Sequence, residues 1–129
     1  MDKKINKFFE MEQDYDYVGD SLLFNITEEY NYKRSLRLTD NIIIDFDEKD
    51  VPVALELLNA SKVLHTKKSF LTHPVGIEMF IGIGEETVTL NAKFTISIHH
   101  KKTPSVLNEQ IANDINLSAC EAHFGQATA

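Results

Sequence analysis

Residues Thr87–Ile98 read TVTLNAKFTISI. Val88, Leu90, Ala92, Phe94, Ile96 and Ile98 are apolar, and Thr87, Thr89, Asn91, Lys93, Thr95 and Ser97 lie between them. Successive side chains of a β-strand point to opposite faces, so this segment has one dry face and one wet face. A half-wet strand belongs to an antiparallel sheet, because parallel sheets are covered on both sides. Extended at ~3.4 Å per residue, Val88–Ile98 would reach about 35 Å, which leads us to expect a bend or bulge.

The same period of two runs through Leu22–Ile26, Ile42–Phe46 and Val51–Leu57. Facing residues in a hairpin must share a side of the sheet, so the turns can be tested against the pattern. A turn at Gly84–Thr87 sets Ile83 against Val88, Ile81 against Leu90, Met79 against Ala92 and Ile77 against Phe94. A two-residue Gly19-Asp20 loop sets Tyr17 against Leu22 and Tyr15 against Phe24. A three-residue Thr39-Asp40-Asn41 loop sets Leu38 against Ile42 and Leu36 against Ile44, with Asn41 at a positive φ. A four-residue loop, Asp47-Glu48-Lys49-Asp50, sets Phe46 against Val51, Ile44 against Val53 and Ile42 against Leu55. All four keep apolar residues on one side, and that consistency predicts a mainly β fold.

The expected architecture is an antiparallel five-strand meander followed by a long hairpin, forming a small β-sandwich or an open, barrel-like sheet. One short helical turn is expected over Asn59–Leu64, capped by Asn59 or Ser61. Pro104–Ile111 reads as a brief helix because Leu107 and Ile111 are four apart. Asp114–Leu117 reads as an edge strand, and the final GQATA as frayed. The 129 residues suit one domain, residues 1–129, with a joint at Thr72-His73-Pro74.

Composition narrows the function classes. A chain 43% hydrophobic and 26% charged is ordinary for a globular protein. No stretch approaches a membrane span, and MDKKINKFFEMEQD turns acidic where a signal peptide needs an apolar run, so the expected location is the cytoplasm. A single cysteine, Cys120, excludes an internal disulfide framework and a Cys-only zinc site. The net charge of −7 opposes nucleic acid and anionic membrane as partners.

Several groups invite a chemical reading. Asp45-Phe46-Asp47-Glu48 and Asp50 concentrate carboxylates, but a helix-loop-helix calcium site needs a mid-loop Gly and a late bidentate Glu. The stretch reads as a type I turn in which Asp47 accepts local amide bonds. Asp45, Asp47 and Glu56 nevertheless share a side of the sheet and are the weak candidates for a cation or for acid/base work. His99-His100 would point to opposite faces of a strand, so the two rings do not grip one ion. Cys120-x-x-His123 offers two zinc ligands and lacks the others, and Cys120 with a distant His has no nucleophile signature around it. Ile81-Gly82-Ile83-Gly84 lacks the third Gly of a nucleotide loop, and Gly82 reads as a bulge or a close approach.

Two motifs occur together: Tyr15-Asp16, Asp20 and Leu22, then Asp45-x-Asp47 and Glu56-x-Leu58-x-Ala60-Ser61. Over Tyr15–Leu64 they resemble the small prokaryotic family called domain of unknown function 2283. The resemblance implies a compact β-rich unit without an established activity. Genes of that family often neighbour toxin-like partners, which implies an antitoxin or regulatory role. This chain departs from the pattern at Asp50, where relatives usually carry Gly, and at Ala54-Leu55-Glu56, where they usually carry Gly-Ile-Glu. Phe70–Ala129 lies outside the resemblance.

The reading that follows is a non-enzymatic protein–protein interaction module, homo-oligomeric and without cofactor, with strand edges available for pairing. The alternative is a divalent-cation or small-ligand protein using Asp45, Asp47 and Glu56. A hydrolase built on His and carboxylate side chains is the weakest of the three.

Overall fold

A computed structural model describes residues 6–126. Their strands are β1 Asn6–Asp16, β2 Ser21–Ile26, β3 Tyr32–Thr39, β4 Ile42–Asp47, β5 Pro52–Leu58, β6 Gly76–Ile83, β7 Thr87–Ile98, β8 Lys101–Ala112 and β9 Cys120–Gln126. A short helix, α1 Ala60–Val63, and a 3-10 turn at Lys68–Thr72 link β5 to β6. All nine strands lie in one sheet ordered β3-β4-β5-β2-β1-β9-β6-β7-β8. The fold is mainly β, and the sheet is a strongly curled half-barrel.

The alternation sets the inside. Leu22 and Phe24 of β2, Ile44 and Phe46 of β4, Leu55 and Leu57 of β5, and Leu90 and Phe94 of β7 are all buried. In the sheet β2 and β7 are separated by β1, β9 and β6, yet the Phe24 and Phe94 rings lie 5.7 Å apart. The curl therefore folds one apolar face onto itself, and a single sheet makes its own core.

The meander expected for the first half is not what forms. The chain leaves β2, builds β3, β4 and β5, and lays β5 antiparallel against β2. Burial explains this choice. In β5 Pro52, Val53, Ala54, Leu55 and Leu57 are all buried, so this strand needs a central place. Lys33, Arg34 and Arg37 put β3 at the edge, where charge is cheap.

Hairpin registers follow the parity argument. The β6–β7 pairing, from Ile83 opposite Val88 to Ile77 opposite Phe94, agrees with the sequence reading throughout. In the β1–β2 pair and through most of the β4–β5 pair the register moves by two, which changes the turn and not the face. Tyr15 sits opposite Leu22 rather than Phe24, and Ile44 opposite Leu55 rather than Val53. Phe46 meets Pro52 past an irregularity. Leu36 does face Ile44, but a second irregularity brings Thr39 opposite Ile42. Positive φ occurs at Asp20 (54°) and Asp50 (62°), not at Asn41. Strand β7 keeps an unbroken register with both neighbours, so the curl of the whole sheet replaces the expected bulge.

The C-terminal expectations change most. Pro104–Ile111 belongs to strand β8, since a spacing of four satisfies a period of two as well as a helix. Asp114–Leu117 is turn and loop rather than an edge strand, held by the Asn113 side chain. The Asn113 Nδ2 donates to the Gly84 and Leu117 carbonyls, and the Leu117 amide donates to Asn113 Oδ1. His99 and His100 form the β7–β8 turn with φ 50° and 65°, a two-residue geometry that matches sheet twist. Gly125 and Gln126 are not frayed but belong to β9, which runs parallel to β1 and antiparallel to β6. The rest of the GQATA stretch, residues 127–129, lies outside the described residues.

Phe94 is fully buried at the contact between the two halves. Phe94→Ala is expected to cost about 3–5 kcal/mol in urea unfolding, against less than 0.5 kcal/mol for an exposed exchange such as Lys93→Gln.

Candidate functional site

Three clusters of side chains stand out. The first joins the β1–β2 loop to α1. Tyr15 donates its hydroxyl hydrogen to Asp20 Oδ1 at 2.7 Å. The Ser61 hydroxyl donates to Asp20 Oδ2 at 2.6 Å, and the Ser61 amide to Oδ1 at 3.0 Å. The Asp20 backbone carbonyl accepts from the Ala60 amide. Asn59, the residue preceding α1, makes no side-chain cap, so the helix is capped from outside by Asp20. Burial by itself would raise the Asp20 carboxyl, but the bonds from Ser61 and Tyr15 outweigh it and hold it below its ordinary value. Burial, then the Asp20 bond, push the Tyr15 phenol up. This cluster is a structural clasp.

The second cluster lies on the outer face of β3, β4 and β5. Asp45 is nine-tenths buried and accepts from the Ser35 hydroxyl at 2.6 Å. A hydrogen bond with Asp45, then burial, push the Glu56 carboxyl from its ordinary 4.5 up to about 7, and Arg37 pulls the other way. Burial, then the Asp45, Glu56 and Glu12 charges, push Tyr30 up. Glu56 therefore holds its proton beside the Asp45 carboxylate across the β4–β5 ladder. Asp47 is committed elsewhere: its Oδ1 accepts from the Lys49 and Val51 amides and caps the hairpin. The structure thus brings Asp45 and Glu56 together and gives Asp47 a turn. Among the described residues no group of three or more His, Cys, Asp or Glu side chains is placed to hold a metal ion.

Asp50 closes that hairpin at a φ where Gly would be unstrained. Its side chain does what Gly cannot. Arg34 grips both of its oxygens, at 2.9 and 3.0 Å from Nη2, and Ser118 donates its amide to Oδ2. Arg34 Nη1 also donates to the Ile115 carbonyl. The departure at Asp50 thus ties the first half to the loop between β8 and β9.

The third cluster is an open groove of about 930 Å³ on the outer face, crossing β1, β9, β6, β7 and β8. Phe8 is 61% exposed and Val106 64% exposed. The Phe80 and His123 rings lie 5.0 Å apart between them. Two glycines make room: a Cβ at Gly82 would lie 2.9 Å from the Phe80 ring, and one at Gly125 would lie 2.9 Å from the Phe8 ring. Gly82 thus marks a close approach by an aromatic ring of its own strand. The pattern of the sequence missed this groove, because its aromatics occupy the polar phase of their strands; Phe8 and Phe80 out of phase were the available signal.

The other candidates separate. Cys120 faces the core at 2% exposure, while His123 is exposed outside, as an odd spacing on one strand requires. Burial, then Asp47 and Glu121, push the Cys120 thiol up to about 11, which leaves little thiolate at neutral pH. His99 and His100 are exposed turn residues, with His99 edge-on to Phe70. No helix among the described residues is long and apolar enough to cross a membrane.

Comparison with known proteins places these clusters in context. The family model described as a protein of unknown function, DUF2283, matches residues 13–61, which hold the Tyr15–Asp20–Ser61 clasp and the Asp45–Glu56 pair. An uncharacterised protein of Methanocaldococcus jannaschii is 36% identical over 104 residues, 80% of this chain and 85% of its own length. A Methanosarcina mazei protein named "Putative hypoxanthine phosphoribosyltransferase" is 33% identical over 104 residues, 81% of this chain and 83% of its own length. Both alignments are longer than the 13–61 match and take in part of the sequence beyond it. No solved structure matches.

Removing the clasp with Asp20→Ala should cost about 1–3 kcal/mol in thermal or urea unfolding, because three donors lose their acceptor; Asp20→Asn should cost less. The raised Glu56 carboxyl predicts a pH dependence. Glu56 binds its proton more tightly when folded, so its contribution is fully present below about 4.5 and is lost as pH rises through about 7. Unfolding free energy should fall by about 1–2 kcal/mol across that window, after allowance for solvent, and Glu56→Gln should flatten the slope.

Proposed function

The chain belongs to the DUF2283 family of proteins of unknown function, and on that premise we propose that it is a non-enzymatic interaction module. It binds protein, a copy of itself included, on the outer face of the sheet, and its role is regulatory rather than catalytic. The observation that carries this reading is the groove, where Phe8 and Val106 are exposed and Phe80 and His123 line the floor. Aromatic side chains with a polar surround are what protein interfaces concentrate near their centre. The exposed Phe8 ring and the half-buried Phe80 ring, each set over a glycine, have no part in the core, which lies on the other side of the sheet.

The name of the Methanosarcina mazei relative points to phosphoribosyl transfer. That chemistry handles a sugar bearing several phosphate charges. Among the described residues the groove has one lysine, Lys93, and it stands directly across the ladder from Glu78, so its field does little for a polyphosphate. With Glu78 and Lys93 offsetting each other, the described lining suits a mostly uncharged protein surface as the occupant.

The test pairs light scattering with capture from the native host, using wild type and Phe80→Asp. Self-association or a captured protein that weakens about tenfold or more in Phe80→Asp, with the melting curve unchanged, supports the reading. A monomer that captures nothing, or a partner held equally by both proteins, overturns it. Turnover of hypoxanthine with phosphoribosyl diphosphate would overturn its non-enzymatic part.

A further inference from the structure

We propose that two copies of this chain join edge to edge through β8, antiparallel, about a two-fold axis at Val106; this rests on the interaction reading and names its partner and register.

An open sheet has two ends, and these differ. Strand β3 is broken by register shifts between Tyr32 and Arg34 and between Arg37 and Thr39, and it carries Lys33, Arg34 and Arg37. Those are devices that keep an edge from pairing, and β8 carries such residues only towards its turn end, at Lys101, Lys102 and Pro104. Strand β8 runs residue for residue beside β7, from Lys101 opposite Ile98 to Ala112 opposite Thr87, without a shift. Its other side is hydrogen-bonded to no strand among the described residues, although the curl of the sheet brings part of β3 near β8. A long, regular edge with an exposed valine is a template for one more strand.

The pattern of β8 points to itself as the occupant. Charge runs from Lys101 and Lys102 at the β7–β8 turn to Glu109 near the far end. Parallel self-pairing would set lysine beside lysine, whereas antiparallel pairing brings the two ends together with opposite sign. Face parity then fixes where the axis can fall. Ser105, Leu107 and Glu109 are half-buried on the inner side, and Pro104, Val106 and Asn108 are exposed on the outer side. Like faces meet only if the axis passes through a residue.

At Val106 the two valines cover each other on the outer face. Ser105 then lies opposite Leu107 of the second copy, and Thr103 opposite its Glu109, one diagonal step from Lys101. Pro104 falls opposite Asn108, where its missing N–H costs one bond on each side of the axis. Val106 and Asn108 also form the β8 rim of the groove, so this pairing runs the two grooves into one.

Val106→Cys, mildly oxidised, should give a disulfide-linked dimer on a non-reducing gel. Wild type, whose Cys120 is buried, and Asn108→Cys should not. Val106→Lys, at an exposed site, should keep the melting curve and weaken dimerisation about tenfold or more by light scattering. A dimer that survives Val106→Lys, or cross-links through Asn108→Cys in preference, overturns the edge and register while leaving the interaction reading standing. A wild type that is monomeric at all concentrations overturns the pairing, and capture of a different protein by wild type but not Phe80→Asp then shows that the interaction reading survives it.

Discussion

Strand β9 determines whether the rest of this molecule is one body or two. Without it the chain would present a five-strand unit ending at β1 and a three-strand unit starting at β6. Inserted between them, β9 bonds parallel to β1 and antiparallel to β6 and closes both inner edges at once. Its Cys120, Ala122 and Phe124 complete the inner face, and Phe124 stacks on Phe9 at 5.5 Å. The continuous sheet can then curl until Phe24 and Phe94 touch. Two sheets with open inner edges would lack that curvature and leave half the apolar face wet.

Side-chain bonds replace backbone pairing where the chain must turn. Gln13 gives its amide hydrogen to the Val75 carbonyl and accepts from the Val75 amide, standing in for a missing ladder rung. Asp20 anchors α1, Asp47 and Asp50 hold the hairpin, and Arg34 reaches the Ile115 carbonyl. In most of these cases a half-buried backbone donor or acceptor finds a partner outside regular structure, as it must. Much of the family pattern is therefore a list of fastenings. The Asp45–Glu56 pair is the exception: the raised Glu56 carboxyl gives up its stabilisation as pH rises through about 7, and it leaves a titratable spot on the outer face.

The candidate site was legible in pieces. Period two placed Asp45 and Glu56 on one face, and the structure brings them into contact. It placed Asp47 there as well, yet a turn claims that carboxylate, because local amides are nearer than any ligand. The groove escaped notice for a different reason. A reading that looks for apolar residues in phase treats Phe8 and Phe80 as exceptions, although exceptions on a wet face are where interfaces form.

By itself the sequence determined which residues face inward, that the pairing is mostly antiparallel, and that the acidic run at Asp47–Asp50 is a hairpin tip. These follow from alternation and turn chemistry, which are local and survive a register shift of two. Only the tertiary structure decided that β5 returns to β2, that β8 is a strand and not a helix, that β9 lies parallel to β1, and that rings gather over Gly82 and Gly125. Those are outcomes of competition between distant segments for the same buried edge, and a spacing of four or a short tail fits more than one winner until the whole apolar face is covered.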